Sequence, residues 1–364
     1  MKKFATIALL SFCVLFSLSA KEDSFASFQW FNSKSLYRQS PTDVFNPSST
    51  LEIMMIQSGQ PRTVRVSPVG SAPDREYEDI PIFDGNKYID ETLYARLKTG
   101  VDVGLLRVGL FHNDAQLELA FSGALNTIFQ GFGGADNLGF DGIFFFGPQL
   151  RLFDRVSLKF GLQHYSGHYG DETIENYYHA NGEVLRQSVN FTRDNNLFFG
   201  IDVEPIKNLF FHVEATRPQL ETWMSPSVHI PSWVIKPSNG LPLNPQEAGS
   251  ENVPPPTTPY PDSYKAWTVQ AGLSYDFYIT KNLGLGVSGD VKMHQDGKTL
   301  HQVNGYSDAN PWELEYTVGG GIILKDEKSN HKTRINFTYH DGRLPLLNYF
   351  YQRTSYISIS AQIG

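Results

Sequence analysis

An all-β transmembrane fold, an antiparallel up-and-down β-barrel of about twelve strands with long outer loops and short periplasmic turns, is what three features of the chain predict. Apolar and polar residues alternate along many short stretches, as in Val156-Ser-Leu-Lys-Phe-Gly-Leu-Gln163, where one parity is greasy and the other small or polar. The links between these stretches alternate between short and long. Aromatic residues reach 13% and charged residues only 19%, while mean hydropathy stays negative at -0.30. Such a composition suits strands that are apolar on one face only.

Taken in order, residues 1–20 read as a secretory signal peptide. Lys2 and Lys3 are followed by the apolar run Phe4 to Phe16 and by small residues up to Ala20. The segment is too short for a membrane span, and no later apolar run approaches the roughly 20 residues a spanning helix needs. The sole cysteine, Cys13, lies inside it, so a mature chain would carry no disulfide framework.

Residues 21–100 form an entry segment with at least one first strand. Up to about residue 48 there is no clear period. Leu51 to Gln57 and Arg62 to Val66, split by Gly59-Gln60-Pro61, resemble a hairpin. The stretch Lys87 to Lys98 leaves open whether it is a strand.

Residues 101–364 form the barrel proper. Strands are expected at Val101 to Phe111, Ala115 to Thr127, Phe140 to Leu152, from Val156 onward, and over Val184 to Val203 and Leu209 to Thr216. Trp267 to Phe277, Leu283 to Met293, Glu313 to Leu324, Lys332 to His340 and Tyr356 to Ile363 complete eleven. Single-chain bacterial barrels have even strand numbers, so a twelfth should come from before residue 100. The proline-dense stretch from about Pro218 to Ser263 is unfit for a central strand and reads as a surface loop.

The polar parity would line the lumen with Glu118, Lys159, Asp202, Glu214, Asp276, Asp290, Lys292 and Arg334. Charges of both signs predict a salt-bridged interior more than a selective pore. His229, His294, His301 and His340 read as polar fill or surface. Tyr165, Tyr275, Phe277 and Tyr339, near strand ends, are expected in the interfacial girdles. Gly319-Gly320-Gly321 sits within a strand and signals close packing.

The net charge of -8 and the lack of any Lys/Arg stripe argue against nucleic acid as a partner. Expected partners are outer-membrane lipids and the barrel-assembly machinery. That machinery usually reads a terminal aromatic residue, whereas this chain ends Ala361-Gln-Ile-Gly364.

The stretch His164-Tyr-Ser-Gly-His168-Tyr-Gly-Asp171-Glu172 carries the chemistry. His164 and Ser166 continue the greasy parity, so a base and a hydroxyl share the lipid-facing row at a strand end. The nine residues resemble the H-x-S-x-H-x-G-D-E signature of bacterial outer-membrane proteins called domain of unknown function 1207. Val189-Asn-Phe-Thr-Arg193, Trp267-Thr-Val-Gln-Ala-Gly272, Tyr339-His-Asp-Gly342 and Tyr351-Gln-Arg353 are similar in order and spacing, so the resemblance covers about residues 100–364. It implies a barrel in the bacterial outer membrane and no defined activity.

Three readings of the cluster follow. Ester hydrolysis by serine needs a base in hydrogen-bond reach and a third group to orient it. Ser166 and His164 would supply the first two, and Asp171, Glu172 or Asn190 the third. The H-x-S order resembles that of outer-membrane phospholipase A and lipid A deacylases, although Gly167 stands where Asn usually follows the Ser. In the second reading His168, Asp171 and Glu172 hold a cation such as calcium in the outer loop, though the spacing matches no established motif; no other cofactor is expected. In the third the Gly-Asp-Glu tip is a turn whose carboxylates cap backbone donors. A small-solute channel, or a purely structural barrel, is the alternative function for the whole chain.

Overall fold

A sheet in hydrocarbon has no water to satisfy its edges, so its strands must close on themselves. The computed structural model describes residues 25–66, 78–81, 92–131, 136–173, 191–218, 267–294, 312–326, 331–349 and 352–363, and it shows this closure. The chain enters through β1 (Ala26–Asn32) and β2 (Ser49–Ser58), and β3 (Thr63–Val66) pairs β4 (Glu78–Pro81) in a small separate ladder. The wall continues with β5 (Leu93–Leu110), β6 (Ala115–Gln130), β7 (Asp136–Leu152), β8 (Val156–Tyr169), β9 (Phe191–Ile206) and β10 (Leu209–Pro218). It ends with β11 (Thr268–Tyr278), β12 (Leu283–His294), β13 (Glu313–Lys325), β14 (Lys332–Arg343) and β15 (Arg353–Ile363). From β5 to β15 each strand pairs its sequence neighbour antiparallel, and β2 joins β15 to β5. Among the described residues the result is a closed twelve-stranded antiparallel barrel.

A strand forms at each of the eleven places expected after residue 100, several of them longer than the alternation suggests, and β2 is the twelfth; the part of Val184 to Val203 before Phe191 lies outside the described residues. Two expectations at the N-terminal end change. Leu51 to Gln57 and Arg62 to Val66 do not pair with each other, because β2 takes β5 and β15 as partners and β3 takes β4. The undecided stretch before residue 98 supplies the first residues of β5. The signal peptide and the loop from 219 to 266 lie outside the described residues.

The oily parity faces outward. Leu158 is 40% and Leu273 45% exposed, and Leu125, Phe146, Phe160, Phe211, Val287 and Phe337 add to the same belt. A continuous apolar surface around a closed wall is what a bilayer would cover and what water would not tolerate. The tight turns lie at one end. At β5–β6 Phe111, His112 and Asn113 take φ values of 54°, 59° and 73°, and at β7–β8 Phe153 and Asp154 take 52° and 54°. These left-handed positions match the right-handed twist of the flanking strands, which lets so short a link close.

The inward parity is charged and paired. Asp276 receives Arg334 at 2.7 Å and Lys332 at 3.2 Å, Arg107 meets Glu118 at 2.7 Å, and His294 meets Glu315 at 3.1 Å. Lys159 stands over the rings of Phe145, Phe198 and Tyr37 at 4.0, 4.8 and 5.3 Å. Tyr165 also belongs to this face, against Phe45, and so is not a girdle residue as expected. Its odd parity, opposite to Leu158 and Phe160, is the reason.

Residues 33–48 hold the largest departure from the sequence reading. β1 and β2 lie end to end on one edge of β5, with Asn32 opposite Gly104 and Thr50 opposite Lys98. The residues between them leave the wall and fill the lumen. Leu36 and Tyr37 are buried, and backbone donors of residues 36, 37 and 38 reach the side chains of Glu118, Gln149 and Asp202 at 2.9, 2.7 and 3.2 Å. The Tyr37 hydroxyl donates to Glu214 at 3.0 Å, and Ser40 and Thr42 both donate to Asp290. Gly100, beside the exit of this segment, has no room for a side chain, because a β-carbon there would run into the Pro47 carbonyl.

Two stability outcomes follow. Arg96 is buried against Glu52 at 3.2 Å and donates to Asn126 at 2.7 Å and to the Val44 carbonyl. Arg96→Met leaves the Glu52 carboxylate buried without its cation and is expected to cost about 3–5 kcal/mol in the urea unfolding of the micelle-bound barrel. An unchanged midpoint would show that the pair contributes nothing. In the glycine run, a β-carbon on Gly321 would strike the Ile335 carbonyl of the neighbouring strand. Gly321→Val is expected to lower stability by about 1–3 kcal/mol in the same titration.

Candidate functional site

Because β8 pairs β9 without a register break, the parity that puts Leu158 and Phe160 on the lipid side carries on to His164, Ser166 and His168, each of them half-buried. Residues two apart on one face of a strand are about 6.6 Å apart at Cα, near enough for side chains to meet with modest adjustment. Catalytic hydrogen bonds are often loose before substrate binds. The three lie toward the end of β8 opposite the tight turns, which is the end bearing the long loops.

The wall beside them is aromatic. In register, His164 faces Phe144, Ser166 faces Gly142 and His168 faces Phe140 of β7. The ring pairs stack, with centroids 6.2 Å apart for Phe144 and His164 and 4.8 Å for Phe140 and His168. Behind this patch, on the luminal side, the chain after β14 folds across the barrel mouth. Asp141 accepts the Leu347 N–H at 3.1 Å, Asn126 donates to the Pro345 carbonyl at 2.8 Å, and Tyr349 packs edge-on against Tyr169 at 5.2 Å. The outer ends of β7 and β8 are thereby braced from inside.

The acidic tip lies elsewhere. Residues 171–173 are helical beyond the strand end, with Asp171 exposed. Glu172 accepts the Asn137 N–H at 3.3 Å, and Thr173 donates to the Asn137 and Leu138 carbonyls at 3.0 and 3.2 Å. Glu172 thus caps the start of β7, as the turn reading of the tip expects. Among the described residues no three His, Cys, Asp or Glu side chains gather as a metal-holding group, and His168, Asp171 and Glu172 are not brought together as one.

Asn190 lies outside the described residues. The register of β9 points to a different amide, since position 195, an Asn, is the cross-strand partner of His164. Parity along a single stretch does not reveal such a neighbour, which depends on how β9 is registered against β8.

No family model matches the chain, and no curated protein matches it. Solved outer-membrane barrels are similar to it in outline. The Salmonella typhi outer-membrane phospholipase dimer with bound calcium is 12% identical, with 90% of this chain and 95% of that one covered and a TM-score of 0.45. Outer-membrane phospholipase A from Escherichia coli is 10% identical, covering 88% and 93%, also at 0.45. The NanC porin is 8% identical, covering 87% and 99%, at 0.37. Likeness at this level spans a phospholipase and a porin alike and does not choose between activities.

Proposed function

We propose that this protein is a bacterial outer-membrane lipid acyl hydrolase. Ser166 acts as nucleophile and His164 as general base on the lipid-facing wall. The observation that carries the reading is the placement of a His and a Ser, two residues apart, on the outward row of β8 among apolar neighbours. The substrate of such a pair is whatever lies against the wall.

The Ser166 hydroxyl adds to the ester carbonyl of a bilayer lipid while His164 Nε2 or Nδ1 takes its proton. The tetrahedral adduct collapses as His164 returns that proton to the departing alcohol oxygen, leaving an acyl-serine and a deacylated lipid. Water, deprotonated by the same imidazole, then releases the fatty acid and restores the hydroxyl. The filled lumen supports this reading over a solute channel, because residues 33–48 occupy the path a solute would take.

Fatty-acid release from phospholipid or lipopolysaccharide by purified protein tests the proposal, with Ser166→Ala and His164→Ala as controls. Arms with calcium and with chelator test the cation reading of His168, Asp171 and Glu172. No release from either lipid in any arm would remove the hydrolase.

A further inference from the structure

The outer half of β7 is a poor strand by its own sequence. Asn137-Leu-Gly-Phe-Asp-Gly142 holds two glycines, an Asn and an Asp, residue types that sheets disfavour, and the facing stretch of β8 adds Gly167. In register, Gly139 faces Tyr169, Asp141 faces Gly167 and Gly142 faces Ser166, so these rungs lack a side chain on one strand or the other. Cross-strand side-chain pairs are what stabilise a ladder, and here they are missing. The ladder to β6 also shifts register close by, between Ile128 and Phe129. Left to itself this end of the wall would fray, yet it is the end against which His168 stacks and Ser166 is registered.

What holds it comes from the lumen. Asp141, between Phe140 and Gly142, is fully buried. Its carboxylate accepts the Leu347 N–H at 3.1 Å through Oδ1 and the Asn126 amide at 3.1 Å through Oδ2. Asn126 also donates to the Pro345 carbonyl at 2.8 Å and accepts from Arg96 Nε at 2.7 Å, and Arg96 in turn donates to the Val44 carbonyl of the luminal segment. Tyr349 donates its hydroxyl to the Leu138 carbonyl at 3.3 Å while its ring packs on Tyr169. A buried carboxylate is costly even when both oxygens are satisfied, and an apolar residue would fill the same place without that cost. What the carboxylate adds is a fixed geometry.

We propose that Asp141 is a positioning residue for the lipid-facing site: clamped by residues 344–349 as they cross the mouth, it sets the outer end of β7 against β8, and with it the stance of Ser166 and His168. Phe140 on one side of Asp141 stacks on His168, and Gly142 on the other pairs with Ser166, so a shift of Asp141 moves both contacts at once. Misplacing reacting groups by about 1 Å from a distant change can cost roughly a hundred-fold in rate. This rests on the hydrolase reading above and adds to it a control exercised from inside the barrel.

Leu347→Pro tests the clamp, because it deletes one N–H donor and leaves every wall residue in place. Proline also suits its position, the first of the 3-10 turn Leu347–Tyr349. The variant is expected to lower kcat on phosphatidylcholine in mixed micelles about ten-fold, with KM unchanged. Asp141→Leu should lose about a hundred-fold, and Asp141→Asn, which keeps one acceptor, should recover much of that. A second readout needs no turnover: a nitroxide on Ser166→Cys should gain mobility when Leu347→Pro is added, while one on Leu158→Cys, lower on the same row, should not. Heat-modifiable gel mobility reports which barrels are intact, and should Leu347→Pro fail to fold, Asp141→Asn carries the same label comparison. Unchanged kcat in these variants, a loss confined to KM, or a label at 166 that loosens no more than the one at 158 would overturn the positioning role. If Ser166→Ala keeps full hydrolysis, the hydrolase reading falls and the pair of labels alone decides whether the interior sets the outer wall.

Discussion

Ser166→Ala is expected to reduce lipid deacylation to the uncatalysed background, a loss of about 10⁴–10⁶-fold if the pair works as a unit, with His164→Ala losing about as much. Members of one proton-transfer chain are not additive, so the double variant should be no worse than either single one. Neither Ser166 nor His164 belongs to the luminal network, and both lie on the outward row. Folding should therefore be unaffected, and the barrel's gel mobility checks this in the same samples. Deacylation that survives in Ser166→Ala would exclude Ser166 as nucleophile.

The second large effect is an on/off change in conductance. The wild-type barrel should be silent in planar bilayers, because residues 33–48 are hydrogen-bonded to side chains on β6, β7, β9, β10 and β12. The register says how to remove them without breaking the wall. With Asn32 opposite Gly104 and Thr50 opposite Lys98, Ser49 falls opposite Thr99 and only positions 100–103 of β5 lie uncovered between β1 and β2. Replacing residues 33–48 with four strand-forming residues should therefore give one continuous first strand and a stable barrel with discrete channel openings. Asp290→Leu is the milder version. It removes the acceptor shared by Ser40, Thr42 and Gln270 and the ion-pair partner of His212, and brief openings are expected. A replaced barrel that folds and stays silent would mean the luminal side chains close the path unaided.

Much of the wall was legible because one physical rule, the two-residue period of a strand between oil and a polar interior, acts along the strands from β6 to β15. The same rule put His164 and Ser166 on the outer face and Lys159 and Asp290 inside. What escaped it has no period. Residues 33–48 are held by partners up to 321 residues away in sequence, Pro41 with Gln362 and Ser40 with Asp290 among them, so nothing local announces the segment. Gly59-Gln60-Pro61 looks like a hairpin turn, but strand partners are chosen across the closed wall, and β2 is the strand that completes it. Asn195 was hidden for a related reason, since register is a relation between two strands.

The first strand of the wall is divided, and its two halves are tied to β5 on either side of the point where the chain turns inward. The inward residues therefore precede in sequence the seam where β2 meets β15. Once that seam zips, whatever is inside stays inside, and whatever is outside can enter only by peeling a half-strand off its neighbour. Packing of the interior is thereby coupled to the order of events during insertion. A barrel that zipped too early would be a kinetically trapped isomer, with the same hydrogen-bonded wall around an empty bore.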